Sequence, residues 1–598
     1  MSALLEMNDL WVEGRPPGGY YAPIVKGISL EVQRGEVLAI IGESGSGKTT
    51  TALAALGYAR PGCRIGSGEV VLDGTDVTKL SSAERRDLRG RKVAYVAQSA
   101  AAAFNPALRI GDQVIEASQI HNMMPPGEAS KMAVDLYRRL DLPDAEAIGQ
   151  RYPHQVSGGQ LQRLMAAMAL SCGPELVVLD EPTTALDVTT QIEVLTAFKD
   201  IIRNQHMAAM YVTHDLAVVA QIADRIVVMY DGEIVEQGTT EDILHNPQHD
   251  YTRTLMAAVR PPPHLVTSED EAAEGKADTP VMEVKGLTAG YGRLVKTVVL
   301  RDVDIAIERG KVVGIIGESG CGKSTLARVM AGLLPQMSGD ILHNGDVLPP
   351  AARHRDKRDL QRIQIVFQMP DVAINPAHRV RDVLGRPLQH FLGLDAEARK
   401  ARVAELLEMV ELPPEFESRF PGELSGGQKQ RVNLARALAA EPDVILCDEV
   451  TSALDTVVGA AIIDLLKDLE SRLGIANVFI SHDLSTVASF ADRIVVLYAG
   501  RVVEQGPTGE VLAAPHHPYT KLLLSSVPEL KTGWLEEVMQ TREAATGIAG
   551  AVELTAVGCP FANRCPLVIE GLCDKQHAPL RKPTPGLEIH CHREIGDL

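Results

Sequence analysis

Two stretches of this 598-residue chain hold the residue types that cradle a phosphate anion. They are Gly42-Glu43-Ser44-Gly45-Ser46-Gly47-Lys48-Thr49 and Gly317-Glu318-Ser319-Gly320-Cys321-Gly322-Lys323-Ser324. Each follows an apolar run ("EVLAII", "KVVGII") and leads through Thr50 or Thr325 into a helical stretch, the context a phosphate-binding loop requires. Glycines let successive backbone N–H groups curl around the anion, and the helix start adds positive potential. Lys48 and Lys323 would reach the β- and γ-phosphates, with the Thr49 and Ser324 hydroxyls on Mg²⁺. A single Gly-rich match reads as a chance turn; two matches in one context do not.

Acids and histidines follow at fixed intervals. The runs "LVVLD" and "VILCD" end in Asp180 and Asp448, where a second Mg²⁺ contact is needed. Glu181 and Glu449 come next, suited to orient and polarise an attacking water. His214 and His482 close the apolar runs "MAAMYVTH" and "ANVFISH". Alone, a strand-end acid faces solvent and a lone histidine is structural. The interval from glutamate to histidine is 33 residues in both copies, which favours a γ-phosphate sensor.

To position these groups the chain must fold twice in the same way. "VSGGQLQR" (156–163) returns as "LSGGQKQR" (424–431), and Ser157 to Asp180 spans 23 residues, as does Ser425 to Asp448. Shared order and interval mean a tandem repeat of one domain. Short β-branched runs alternating with helices predict an α/β core with a mainly parallel sheet. The intervals Gln98–Ser157 and Gln368–Ser425 predict a helical subdomain in each copy, with "AERRDLRG", "AVDLYRRL" and "AEARKARVAELLEMV" assigned there. The acidic, Pro-rich segment 261–280 reads as a tether, giving domains at 1–260 and 281–530 and a tail at 531–598.

Composition sets outer limits. The chain is 45% hydrophobic and 23% charged, has no apolar run near the ~20 residues of a membrane-spanning helix, and starts without a secretory pattern. A cytosolic protein with reduced thiols is expected. The net charge of −19 argues against nucleic acid as main partner.

Phosphate loop, Gln98 or Gln368, "SGGQ", strand-end "DE", "ALD" and "HD", in this order, resemble the ATP-binding-cassette (ABC) ATPases over residues 1 to about 530. The resemblance implies two P-loop domains, each with a RecA-like core. It implies that Gln98 and Gln368 join the Mg²⁺ sites. Ser157, Gly158, Gly159 and Gln160 would bind the γ-phosphate held by the second copy's loop, and Ser425, Gly426, Gly427 and Gln428 that held by the first. The copies would then close head to tail over two ATP molecules. Tyr291 fits the family's adenine-stacking aromatic in the second copy; in the first, Tyr20 and Tyr21 are the candidates. Val156 stands where the family has Leu, and Val450 replaces the Pro after the glutamate.

Asn105-Pro106 and Asn375-Pro376 lie seven residues after each glutamine, and "NPQHDYTRTLMAAV" and "APHHPYTKLLLSSV" close the copies. These resemble the ATPase subunits of oligopeptide/dipeptide importers, fused into one chain. That implies two separate transmembrane permease subunits, an extracytoplasmic substrate-binding protein acting through them, and a peripheral place on the cytoplasmic membrane face. Nickel, glutathione or an antimicrobial peptide are alternative cargoes. A ribosome-acting tandem-cassette factor is the rival; it needs a long charged helical arm, and the tether here is short and acidic.

Four of the eight cysteines crowd the tail: Cys559, Cys565, Cys573 and Cys591. Structural zinc sites use a tight C-x2–4-C pair, absent here. The looser spacing and the "CP" dipeptides are compatible with an iron–sulfur cluster, and bare thiols remain the plain alternative. The family resemblance implies a [4Fe–4S] cluster, since some of its members hold one in such a tail.

Overall fold

Val37–Ile41 and Val312–Ile316 are buried along their whole length, as strands covered on both faces must be. Around each the computed structural model builds one copy of the repeat. It describes residues 3–15, 19–183, 186–259, 280–292, 297–452, 454–544 and 557–598; residues 261–279 of the tether lie outside these. By internal contacts the chain forms two units, Met1–Val259 with Pro528–Glu537, and Arg260–Val527 with Val538–Leu598.

In the first unit the main sheet runs, in spatial order, Glu233–Thr239, Arg225–Tyr230, Val37–Ile41, Ala208–Val212, Leu176–Asp180 and Val93–Val96. All neighbours are parallel except the hairpin of the first two. Parallel neighbours need crossovers, so the C-terminal ends of Val37–Ile41, Ala208–Val212 and Leu176–Asp180 meet at one edge, where open α/β sheets bind ligands. A second, antiparallel sheet (Ala22–Val32, Leu5–Gly14, Cys63–Leu72, Thr75–Asp76) packs Leu5, Met7 and Leu10 onto the same core.

The helical insertion contains Ile110–Val114, Glu116–Ile120, Pro126–Arg139 and Gly158–Leu170, as the sequence predicts for "AVDLYRRL". "AERRDLRG" is helical as Ser82–Leu88 but precedes Gln98, so it is not part of the insertion. Ser81 and Glu84 form a capping box, and although none of its helical residues is fully buried, Leu88 packs against the core of the first unit and Arg85 Nη1 donates to the Gly57 carbonyl at 3.2 Å.

The second unit repeats this plan with one addition. Its main sheet reads Ile363–Val366, Val444–Asp448, Ala476–Ile480, Val312–Ile316, Arg493–Tyr498, Arg501–Pro507, Glu588–His590 and Leu580–Arg581. The last two strands come from the cysteine tail. Glu504 pairs with Ile589 and Gln505 with Glu588, so the tail covers an edge strand that would otherwise offer unpaired N–H and C=O groups.

The segment between cassette and tail belongs to the first unit. Trp534 and Leu535 are buried there. Gln221 Nε2 donates to the carbonyls of Glu529 (2.7 Å) and Lys531 (3.0 Å), and Lys199 Nζ lies 2.5 Å from Glu536 Oε1.

Candidate nucleotide sites

Each phosphate loop leaves its strand through a glycine in the left-handed half of backbone space. Gly42 has φ 146° and Gly317 φ 152°. A Cβ at Gly42 would stand 2.1 Å from the Met229 carbonyl oxygen, and one at Gly317 2.1 Å from that of Leu497. The loop therefore passes so close to the neighbouring strand that only glycine fits. Gly47 and Gly322 then start the helices Lys48–Ala54 and Lys323–Met330.

The lysines sit inside their loops. Lys48 Nζ donates to the carbonyls of Gly42 (2.8 Å) and Glu43 (2.7 Å), and Lys323 Nζ to those of Gly317 (2.7 Å) and Glu318 (3.1 Å). Each loop is also pinned from the end of its cassette: Glu43 N–H donates to Tyr251 Oη and Glu318 N–H to Tyr519 Oη, both at 2.8 Å.

Beside the loops the strand ends deliver the acids. Thr49 Oγ1 donates to Asp180 Oδ1 at 2.9 Å, and Ser324 Oγ to Asp448 Oδ1 at 2.8 Å. Both aspartates are buried, and burial raises their pKa; the adjacent glutamates add to this, while the hydroxyl bonds oppose it. Such a carboxylate is short of positive charge, and a hydroxyl already lies against it. That fits a divalent cation.

Glu181 and Glu449 adopt φ 48° and 50°, left-handed conformations that cost a non-glycine residue on the order of 1 kcal/mol or more. Their N–H groups donate to the carbonyls of Val212 (2.8 Å) and Ile480 (3.0 Å), which holds the strain in place. Gln98 Nε2 donates to Glu181 Oε2 and Gln368 Nε2 to Glu449 Oε2, both at 2.8 Å. His214 Nδ1 lies 3.2 Å from Glu181 Oε1; His482 Nδ1 is looser, 3.9 Å from Glu449 Oε2. Burial pulls the His214 pKa down, but the Glu181 carboxylate outweighs it and the net direction is up.

Each unit thus gathers lysine, hydroxyl, aspartate, glutamate, glutamine and histidine at one sheet edge. The "SGGQ" residues do something else. Ser157 and Ser425 cap the helices Gly158–Leu170 and Gly426–Leu438 through reciprocal bonds with Gln160 and Gln428, and Ser157, Gly158, Ser425 and Gly426 are exposed. A Cβ on Gly159 would meet Thr190 at 2.2 Å and one on Gly427 would meet Val458 at 2.4 Å, so the helix starts lie tight on their own units.

Tyr291 ends the strand Met282–Tyr291 with an exposed ring, its Oη 3.2 Å from Thr325 Oγ1 beside the loop helix. The matching strand of the first unit ends in Gly14. There Tyr21 lies under the Arg64 guanidinium at 4.1 Å, and Tyr20 is fully out in solvent.

Sequence reasoning missed Tyr95, whose hydroxyl donates to Asp180 Oδ2 at 2.7 Å, and Ser452, whose Oγ accepts from Gln368 at 3.0 Å. It also missed the pinning tyrosines. "HDYT" and "HPYT" occupy equal places in the two copies, and that is the one signal that could have found them.

In the tail, amides point at the thiols. Phe561 and Leu567 N–H face Cys559 and Cys565, two residues on across the "CP" steps; Ile569 N–H donates to Cys573 Sγ at 3.4 Å. Burial pushes the Cys559 thiol up to about 12 and the Cys565 thiol up to about 11. These amides oppose that rise, and the other tail thiols reinforce it. Cys591 is raised likewise, by burial first and then by Cys573. Among the described residues no group of three or more His, Cys, Asp or Glu is placed to hold a metal ion.

Fold and sites together define a nucleoside-triphosphate-hydrolysing α/β domain, present twice. The family description "ABC transporter" matches residues 25–184 and 300–452, and "Oligopeptide/dipeptide transporter, C-terminal region" matches 235–282 and 503–573. The glutathione import ATP-binding protein GsiA of Salmonella choleraesuis (strain SC-B67) is 40% identical over 547 residues, covering 85% of this chain and 87% of its own. GsiA of Escherichia coli O157:H7 is 40% identical over 542 residues, 84% and 86%. Among solved structures, cbiO1 from Clostridium perfringens matches with TM-score 0.36 and 31% identity over 39% of this chain and 91% of that one. The chain belongs to the ABC transporter ATP-binding proteins of the oligopeptide/dipeptide importer family, in the tandem-cassette form, and it hydrolyses ATP.

Proposed function

We propose that this chain energises uptake of short peptides, closing its two cassettes head to tail over two ATP molecules. The observation that carries the two-site reading is the duplication of a complete constellation: neither Glu181, His214, Glu449 nor His482 is replaced, and each contacts its partner within its own unit. Lys48, Gln98, Asp180, Glu181 and His214 would face Ser425–Gln428, and Lys323, Gln368, Asp448, Glu449 and His482 would face Ser157–Gln160. The exposed, self-capped serines suit this, since Ser157, Gly158, Ser425 and Gly426 stand open to solvent at their helix starts.

In this mechanism Lys48 and Lys323 exchange their loop carbonyls for phosphate oxygens. Thr49, Gln98 and Asp180, and Ser324, Gln368 and Asp448, would hold Mg²⁺, which when bound neutralises charge on the β- and γ-phosphates. Glu181 and Glu449 accept the proton of the attacking water, each held by a glutamine and steered by a histidine. His214 and His482 donate towards the γ-phosphate. Most of the rate comes from positioning and charge neutralisation.

No described helix is long and apolar enough to cross a membrane. We place the chain at the cytoplasmic membrane face as a peripheral subunit, working with two permease subunits that receive cargo from a binding protein. Dipeptides and oligopeptides are the proposed cargo class; glutathione, named for the GsiA relatives, is a tripeptide of the same class. Purifying the tagged full chain from membranes should bring down two polytopic subunits, and its ATPase should rise when the peptide-loaded binding protein is added. Recovery with ribosomes and stimulation by them would reverse the assignment.

For the tail we propose a [4Fe–4S] cluster on Cys559, Cys565, Cys573 and Cys591. A backbone amide meets each of the four thiols, the hydrogen bond a ligating sulfur would keep; burial raises Cys559, Cys565 and Cys591, so the binding of iron itself would have to drive their deprotonation. Protein purified without oxygen should be brown, with stoichiometric iron and sulfide. A colourless protein with one zinc per chain would sink the proposal.

A further inference from the structure

The two phosphate loops read almost alike in sequence, yet their glutamates live in different surroundings. Glu43 is half-exposed. Glu318 is buried at 6% exposure, and its carboxylate receives Arg564 Nη1 at 2.9 Å on both oxygens. Arg564 comes from the cysteine tail, between Cys559 and Cys565, and is itself buried. It also donates to Tyr498 Oη at 3.3 Å.

Phe561, three residues earlier, fixes the arginine from below. It is 1% exposed, its ring centroid 5.2 Å from Tyr498 and 5.5 Å from Tyr519, the tyrosine that accepts the Glu318 N–H. Backbone and carboxylate of Glu318 are therefore both held by the cluster on which the tail is packed. In the first unit, Tyr230 and Tyr251 make the same ring pair at 4.4 Å, but Tyr230 is 43% exposed where Tyr498 is 1%. The sequence after Val259 enters the cysteine-free tether, so nothing like the tail follows the first cassette.

We propose that Arg564 is a positioning residue of the second nucleotide site: it holds Glu318 and cancels its charge, so that the tail sets the ATP affinity of the Gly317–Ser324 loop and not of the Gly42–Thr49 loop. A buried carboxylate in a loop that takes up a triphosphate repels the ligand unless it is paired, and breaking a buried pair from one side leaves that charge uncompensated. Burial alone would lower the Arg564 pKa, but the Glu318 carboxylate reverses this, so the guanidinium stays charged. The tail is on this view a working part of one site. The inference rests on reading Gly317–Ser324 as a phosphate loop.

The test measures MgATP binding to the full chain with one loop disabled at a time. With Lys48→Ala, Arg564→Gln should weaken ATP binding about tenfold, which is about 1.4 kcal/mol. Adding Glu318→Gln should restore it to within about twofold, because no charge is then left unpaired. With Lys323→Ala, Arg564→Gln should change nothing. If Arg564→Gln alone impairs folding, the Glu318→Gln, Arg564→Gln pair and Arg564→Lys keep the question open to measurement: the pair should bind ATP nearly normally, and the lysine should bind better than the glutamine. An equal loss at both loops, no loss at the second, or no rescue by Glu318→Gln would overturn the proposal alone. Full ATP binding by the Lys48→Ala, Lys323→Ala variant would overturn the phosphate-loop reading and this proposal with it.

Discussion

With Glu181→Gln and Glu449→Gln combined, ATP turnover should fall by about a thousandfold, within the 10²–10⁴ range of general-base contributions, while ATP stays bound. The geometry makes this a clean test. Glutamine keeps the side-chain length and an oxygen to accept from Gln98 or Gln368. It also keeps the left-handed backbone and the N–H bonds to Val212 and Ile480, so the strain at φ 48° and 50° is unchanged. What is lost is the capacity to take a proton from water. The expected product is a closed, ATP-loaded chain, read by single-turnover hydrolysis and by nucleotide retained through gel filtration. Turnover within tenfold of the parent would remove the two glutamates from the role of base.

The loops, the strand-end acids and the twofold repeat were legible because they are local: each is a short string whose residue types fix its conformation. Gly42 and Gly317 announce a tight exit, and "LVVLD" and "VILCD" announce buried strands. The six-stranded order across the first main sheet was not legible, since it depends on which crossovers pack, and no single string records that. "AERRDLRG" shows the boundary of local reasoning: that it is helical is legible in the string, its place outside the helical insertion is not.

Contacts between distant strings were invisible for the same reason. Tyr251 and Glu43 stand 208 residues apart, and Arg564 and Glu318 stand 246 apart; neither pair has a spacing to recognise. The four tail cysteines point to metal chemistry, while the arginine among them, which joins the tail to a nucleotide loop, carries no motif or spacing that singles it out. Two loops spelled nearly alike thus acquire different surroundings from sequence that only one of them has.

Gly317→Ala should destabilise the second unit by about 3 kcal/mol or more, because strain in a sparsely populated backbone region adds to a clash. In the Lys48→Ala background it should also abolish the rise in unfolding temperature that MgATP gives through the second loop. A methyl there would lie 2.1 Å from the Leu497 carbonyl oxygen and 2.8 Å from Cys321 Sγ. Neither can yield easily: one is backbone in a buried strand, the other is buried inside the loop. Gly320, in the same loop, separates the two causes. It has φ 81°, so alanine is strained there too, but its Cβ would meet nothing within 4 Å. Gly320→Ala should therefore cost only the backbone penalty, about 1–2 kcal/mol. Thermal unfolding of both variants, with and without MgATP, reads the difference. Equal losses would mean that the close passage against Leu497 is not what shapes the loop, and that its curvature is set by backbone preference alone.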